Sequence, residues 1–321
     1  MTSRERVERA IRFEQPDRAP FNFWMDRRRM AELEAQHGPE FRVRHFGADV
    51  IESYFCFPAF PMAEHAMRDG TSWMVRELFD DWRDALSLPM PDPNDPALYA
   101  QLDRHLAEFS DCAVIANSPN VLTIAELMKR QENLYVDMLT QPEEVAAMFD
   151  RISDVMAAVA ENVCKRDITA LYVQDDIAFN KGLLVSMDIA RTFVFPNWRK
   201  VMDVAHAAGK PVFFHTDGKC DDIWEVLADE LGVRMLNPLQ PELQSIEEFK
   251  RRYHGRMGVY GGIQTGRIHL MSPAEIHAHI RDLLDKAGAN GGLIMSTHDI
   301  DYTTTDEQFE ALAAAMRECV Y

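Results

Sequence analysis

The chain has 321 residues, 47% of them hydrophobic and 27% charged, with a formal net charge of −18 at pH 7. That size fits two ordinary domains or one large α/β barrel, which needs about 250 residues. So acidic a balance argues against nucleic acid and anionic membranes as partners, because both require basic patches.

The N-terminal stretch MTSRERVERAIRFEQPDR reads as a charged helix without the apolar core of a signal peptide. No run approaches the roughly 18 apolar residues of a membrane span. Five cysteines (Cys56, Cys112, Cys164, Cys220, Cys319) are scattered without a CxxC pair. Together these features point to a reducing cytoplasm.

The first strand-like run is FNFW (21–24), followed by Arg27, Arg28 and Arg29. Those arginines read either as a solvated helix face or as a local receptor for an anionic substrate. ADVIE (48–52) is the second run. Residues 54–110 then depart from the pattern, holding YFCFPAFPM, RELFDDWRD and the proline-rich LPMPDPNDP. Such a long elaboration reads as a lid-like excursion, with a small hairpin around Thr71–Leu78.

CAVIA (112–116) is the third run. Thr140–Glu143 (TQPE) has the form of a capping box with proline in the first turn. Behind it Val145, Met148, Ile152, Met156, Val159 and Val163 recur at helical spacing, predicting one long helix over 142–165. ALYVQ (170–174), PVFFH (211–215), VRMLN (233–237), MGVYG (257–261) and GLIMS (292–296) complete eight apolar runs. SIEE (245–248) and SPAE (272–275) start two of the later helices.

Strands without polar alternation, separated by helices, imply a parallel sheet covered on both faces. Eight such units predict an α/β chain folded as a single (β/α)8 TIM barrel over residues 1–321, elaborated between the second and third strands. No GxGxxG follows the first strand, which weighs against a dinucleotide-binding fold.

In such barrels the chemistry lies at the C-terminal strand ends. Those ends supply Asn22 and Trp24, Glu52 and Tyr54, Asn117 and Ser118, then Gln174, Asp175 and Asp176. The later ends supply His215 and Asp217, Asn237 and Gln240, Gln264, and Ser296 and His298. His215 and Asp217 are two apart, so in extended chain they point the same way, and Gly218 permits the following turn.

That pair can give a metal one nitrogen and one oxygen ligand, with His298 as a third, or it can be a histidine oriented by a carboxylate. Of the Asp175–Asp176 doublet, Asp176 is expected to face the mouth. Trp24, Tyr54 and Phe55 are expected to wall an apolar pocket, with Arg28, Asn117, Asn237 and Gln264 as further substrate contacts. Cys220 could begin a helix whose positive end lowers its thiol pKa, or be a semi-buried small residue. YGGIQTG (260–266) reads as a phosphate cradle or as close backbone packing. His277 and His279 face apart on a helix and form no metal pair.

RERVERAIRFEQPDRAP, YVQDD, VFFHTDGKC, LNPLQPE, VYGGIQTGRIHLMSPAEI and GGLIMSTHDI occur in this order. Together they resemble the uroporphyrinogen decarboxylase superfamily over nearly the whole chain, apart from 54–110. The resemblance implies a (β/α)8 barrel, and family members often form homodimers.

True uroporphyrinogen decarboxylases use no cofactor. They carry an Arg-Gln-Ala-Gly-Arg stretch after the first strand and an aspartate after the second. This chain has WMDRRRM and ESYFC at those places.

The other branch holds zinc-dependent methyltransferases that move methyl groups among methylated compounds, corrinoid proteins and thiols. They carry His-x-Cys after the fifth strand and a later cysteine near the eighth. Here His215 matches the histidine, Asp217 stands at the first cysteine and His298 lies near the second.

The resemblance therefore implies a metal-dependent methyltransferase, with Zn2+ or another divalent ion on His215, Asp217 and His298. Asp176 would be a ligand or base, and a corrinoid carrier would accept a methyl group from a small, methoxylated substrate. A metal-free decarboxylase of a carboxylated aromatic or pyrrolic substrate is the alternative, with Arg27–Arg29 anchoring carboxylates. A non-catalytic binding protein is the third reading.

Overall fold

Both faces of each expected strand need cover, and the structure, a computed structural model describing residues 1–54, 57–68 and 71–321, supplies it. Seven of the eight apolar runs form strands: β1 (Val50–Ser53), β2 (Ala113–Pro119), β3 (Ala170–Gln174), β4 (Val212–His215), β5 (Val233–Asn237), β6 (Gly258–Gly262) and β7 (Leu293–Ser296). They pair in chain order, all in parallel.

Alternation along each strand divides its side chains between two cores. Val50, Ala113, Ile115, Ala170, Tyr172, Phe213, Met235, Tyr260 and Ile294 form an inner cluster. Ile51, Val114, Leu171, Phe214, Leu236, Val259 and Leu293 face the surrounding helices. Because first and last strands share the inner cluster, the sheet is curled.

The run 21–24 is not a regular strand, which corrects the expected count of eight. It makes isolated parallel bridges, Phe21 to Met295 beside β7 and Met25 to Ile300. Asn22 N–H donates to Met295 O at 2.9 Å, and Asp49 N–H donates to Phe21 O at 2.8 Å. The ladder breaks for a local reason: Trp24 N–H donates to the Thr297 hydroxyl at 2.7 Å rather than to a strand carbonyl.

The N-terminal helix Ser3–Ile11 begins with a reciprocal capping box between Thr2 and Glu5. Its Val7, Ala10 and Ile11 join the inner cluster from the N-terminal ends of the strands. Gly292 N–H donates to Ala10 O at 2.9 Å. Beside it Asp49 is fully buried and ion-pairs with Arg6 and Arg18, each at 2.7 Å. Asp49 also accepts the Phe21 N–H at 2.9 Å. One neutralised carboxylate thus ties the first helix, residues 18–21 and the start of β1 together.

The long helix occupies Pro142–Cys164, and its periodic apolar residues are buried. The TQPE box does not form. Thr140 ends the preceding helix Gln131–Thr140, where its hydroxyl donates to Val136 O. Ser245 and Ser272 do cap their helices.

The excursion contains a hairpin of Glu64–Arg68 against Thr71–Arg76 and the helices Trp82–Ala85 and Ala100–Glu108. Backbone bonds from Ala63 and Leu78 to Leu127 O and Met128 O fasten it to the segment after helix Val121–Glu126. Among the described residues no helix is long and apolar enough to cross a membrane.

Candidate functional site

Each inner apolar row continues two residues further into a polar one, because i and i+2 share a strand face. Val50 leads to Glu52, Ile115 to Asn117, Tyr172 to Gln174, Phe213 to His215 and Met235 to Asn237. The C-terminal end of the curled sheet therefore carries a polar layer over the apolar one.

Asn237 sets the state of His215. Its Nδ2 donates to Tyr260 O at 2.7 Å, which fixes the amide orientation and leaves Oδ1 as the acceptor. Oδ1 lies 2.6 Å from His215 Nδ1 and accepts the Tyr172 hydroxyl at 2.6 Å. A carbonyl oxygen cannot donate, so Nδ1 carries the hydrogen and the neutral ring keeps its lone pair on Nε2.

That lone pair meets two carboxylates and a second imidazole. His215 Nε2 is 3.7 Å from Asp176 Oδ1 and 4.0 Å from Asp217 Oδ2. His298 Nε2 is 3.1 Å from Asp217 Oδ2, and the two imidazole rings lie 6.0 Å apart, nearly parallel. Asp176 Oδ1 accepts the Asp217 N–H at 2.9 Å, fixing the loop that carries the second carboxylate.

Gly218 follows at φ +86, where a Cβ would come within 2.6 Å of the Phe179 backbone. Only glycine fits that turn. Burial, the largest influence, works against an ionised Asp217, but the His298 hydrogen bond and both imidazoles hold its carboxyl below the ordinary range. Burial likewise opposes a charged His298, yet Asp217 lifts that imidazole above its usual value.

The donor set fits a divalent metal. One ligand atom from each of His215, Asp217 and His298 lies within 4.8 Å of the others. Two zinc ligands at about 2.05 Å and a tetrahedral angle stand roughly 3.3 Å apart, so these spacings need only small side-chain rotations. Asp217 Oδ1 is buried with no hydrogen-bond partner among the described residues. Two nitrogens and a carboxylate oxygen form a harder set than one with thiolates, suited to zinc and to oxygen-bearing substrates.

Opposite this cluster stands the buried Glu52 side chain, which has no ion pair within 4 Å among the described residues. The Glu52 carboxylate accepts Asn22 Nδ2 at 2.9 Å, Trp24 Nε1 at 3.0 Å, Tyr54 hydroxyl at 2.6 Å and the Tyr260 hydroxyl. Burial first and the Glu52 charge second hold the Tyr54 and Tyr260 phenols well above their ordinary pKa, so both remain donors. Glu52 thereby fixes the walls Trp24 and Tyr54, whose rings meet edge to face.

A chamber of about 150 Å3 is lined by Trp24, Tyr54, Tyr172, His215, Asn237 and His298, among others. A larger one of about 570 Å3 shares Trp24 and Tyr54 as walls.

The structure thus brings together His215, Asp217, His298, Asp176, Asn237, Trp24 and Tyr54. It separates others. Arg28 is exposed, paired with Asp26 and stacked on Tyr302. Gln264 lines a different cavity with His279, whose Nε2 accepts its N–H. Asn117 is buried, its amide has no hydrogen-bond partner among the described residues, and it lines neither chamber. Phe55 lies outside the described residues.

Asp175 turns away from the mouth, accepting Leu122 and Thr123 N–H groups and Trp198 Nε1, and burial raises it to about 6. Cys220 is buried, and its thiol is pushed up to about 12 rather than down. YGG is a packing device: a Cβ on Gly261 would lie 1.7 Å from Pro238 O. The roles of Glu52, Tyr172 and Tyr260 were missed. The available signal was their position in phase with Val50, Ala170 and Gly258 along their strands.

A family model described as uroporphyrinogen decarboxylase (URO-D) matches residues 2–319. No curated protein matches the chain. A solved methyltransferase from Methanosarcina mazei superposes with a TM-score of 0.73 at 15% identity, covering 99% of each chain. At that identity the likeness concerns the fold.

Proposed function

Because the chain belongs to the uroporphyrinogen decarboxylase family, we propose that it is an enzyme, a metal-dependent methyltransferase centred on His215, Asp217 and His298. The observation that carries this reading is the convergence of three ligand atoms within 4.8 Å, one of them on a carboxylate whose second oxygen is buried and unpaired. That the Methanosarcina neighbour is a methyltransferase favours the same branch.

Zinc or another divalent ion held there would supply Lewis acidity toward a methoxy oxygen. The chain's own residues do the rest. Asn237 holds His215 in the tautomer with a free Nε2. Asp176 fixes the Asp217 backbone and stands 3.7 Å from His215, placed as further ligand or base. Trp24 and Tyr54, held by Glu52, wall the space beside the cluster.

The acceptor in this reading is a corrinoid borne by a partner protein. The enzyme is cytoplasmic and dimeric, and residues 54–110 act as a lid.

The test is to supply a methoxylated arene with reduced cobalamin and follow methylcobalamin by absorbance. Its formation, lost in His215→Ala, is expected. Release of carbon dioxide from a carboxylated substrate without any corrinoid would establish decarboxylation instead.

A further inference from the structure

We infer that the hairpin of Glu64–Arg68 against Thr71–Arg76 joins two copies of this chain, edge to edge along Glu64–Arg68, in a two-fold antiparallel pairing centred on Ala66. The inference rests on the dimeric state in the functional reading above and not on the chemistry at the His215 cluster. Residues 54–110 lie outside the stretches that carry the family resemblance, so this contact belongs to the chain's own elaboration.

A two-stranded sheet alone is marginally stable in water, and an open strand edge is a template for another chain. This hairpin carries apolar side chains on both faces. Ala66 faces Trp73 and Met67 faces Ser72, so Trp73 and Met67 lie on opposite faces. They are 57% and 68% exposed, and Met62 and Val75 beside them are exposed too. The body of the protein holds the base of the hairpin. Ala63 N–H donates to Leu127 O at 2.8 Å, and His65 Nδ1 donates to Ala63 O at 2.9 Å. Arg130 reaches the other strand, at the carbonyls of Met74 and Val75.

Backbone groups along an edge strand alternate between the sheet partner and the outside. Ala63 bonds outward, so His65 and Met67, in phase with it, turn their N–H and C=O groups outward as well. Among the described residues nothing beyond the hairpin bonds those four groups. A two-fold axis through Ala66 sets His65 opposite the partner's Met67, and Met67 opposite the partner's His65, and so pairs all four.

The same axis brings the two Ala66 residues together in a non-hydrogen-bonded pair, where side chains approach most closely and a methyl group fits. It also sets Glu64 opposite the partner's Arg68, a favourable cross-strand pair made twice. Only this axis opposes the two charges. Glu64 has Arg76 at 3.1 Å within its own chain, whereas exposed Arg68 has no ion pair among the described residues. A contact of this kind is isologous and closes at two copies. With each chain at −18, copies repel over most of their surface, but the hairpin offers Arg68 and Arg76 against Glu64 alone among its described residues.

The test is sedimentation of the full chain, together with mild oxidation of Ala66→Cys. A non-hydrogen-bonded pair holds its Cα atoms about 4.5 Å apart, within disulfide reach. Wild type is expected to sediment as a dimer, and Ala66→Cys to form a cross-link between chains that peptide mapping places at position 66. Arg68→Glu and Glu64→Arg should each weaken dimerisation about tenfold, because like charges then face each other twice. Mixed in equal amounts, the two variants should recover it, since every charge then meets its opposite; misfolding of either would not be repaired by mixing. A monomeric wild type would overturn the dimeric reading and the inference together. A wild-type dimer whose Ala66→Cys form gives no such cross-link would leave that reading standing and overturn the inference alone. So would charge variants that dimerise as wild type does.

Discussion

Asn237 Oδ1 sits 2.6 Å from Nδ1 of His215, and the Asn237 amide is itself oriented by Tyr260 O. One asparagine on β5 therefore decides which nitrogen of a β4 histidine faces the cluster. Replacing it with alanine frees the ring to adopt the other tautomer. Loss of such an orienting partner costs 10–100-fold in metal affinity, on the order seen for outer-shell groups. Chelator competition with Zn2+ should show that loss in Asn237→Ala with the fold intact by circular dichroism. Unchanged affinity would remove the orienting role.

Asp217 provides a test of ligand chemistry. Thiolate is a softer ligand than carboxylate and is favoured by zinc. Asp217→Cys should bind Zn2+ more tightly than wild type and, loaded with Co2+, gain a thiolate-to-metal absorption band. A cobalt-loaded variant without that band would mean that position 217 does not reach the ion.

Glu126 supplies a pH signature outside the proposed ligand set. It accepts Gln131 Nε2 at 2.9 Å and the Tyr135 hydroxyl at 3.2 Å, and burial raises its carboxyl to about 7. Its folded-state pKa lies above the ordinary 4.5, so between these values the folded chain holds a proton that the unfolded chain has released. Stability is therefore fully present below about 4.5 and falls as pH rises toward 7. Glu126→Gln keeps the neutral shape and should add about 3 kcal/mol at pH 8 but less than about 0.5 kcal/mol at pH 4.5. Urea titrations at the two pH values check this, and an equal effect at both would refute it.

Asp49 tests the end of the sheet remote from the cluster. Asp49→Ala leaves Arg6 and Arg18 without their shared buried anion and should cost about 3–5 kcal/mol in urea unfolding. A loss below about 1 kcal/mol would mean that water replaces the carboxylate there.

The architecture was legible because strands buried on both faces lack polar alternation and helix starts carry side-chain caps. Seven runs, and the direction of His215 and Asp217, follow from those periods alone. What was illegible depended on partners far along the chain. Run 21–24 has strand composition, but Thr297 captures the Trp24 N–H. Thr140 has cap chemistry, but a preceding helix already uses it.

Glu52 and Tyr260 meet across 208 positions. Arg27 to Arg29 stand out in the sequence by adjacency alone. There the structure leaves Arg28 and Arg29 engaged with surface carboxylates.

The most direct measurement is metal content of the protein after Zn2+ loading and desalting, in wild type, His215→Ala and His298→Ala. The account predicts one zinc per wild-type chain, with both variants depleted. Near-zero metal in all three, or one full equivalent in all three, would contradict a metal centre built on these residues.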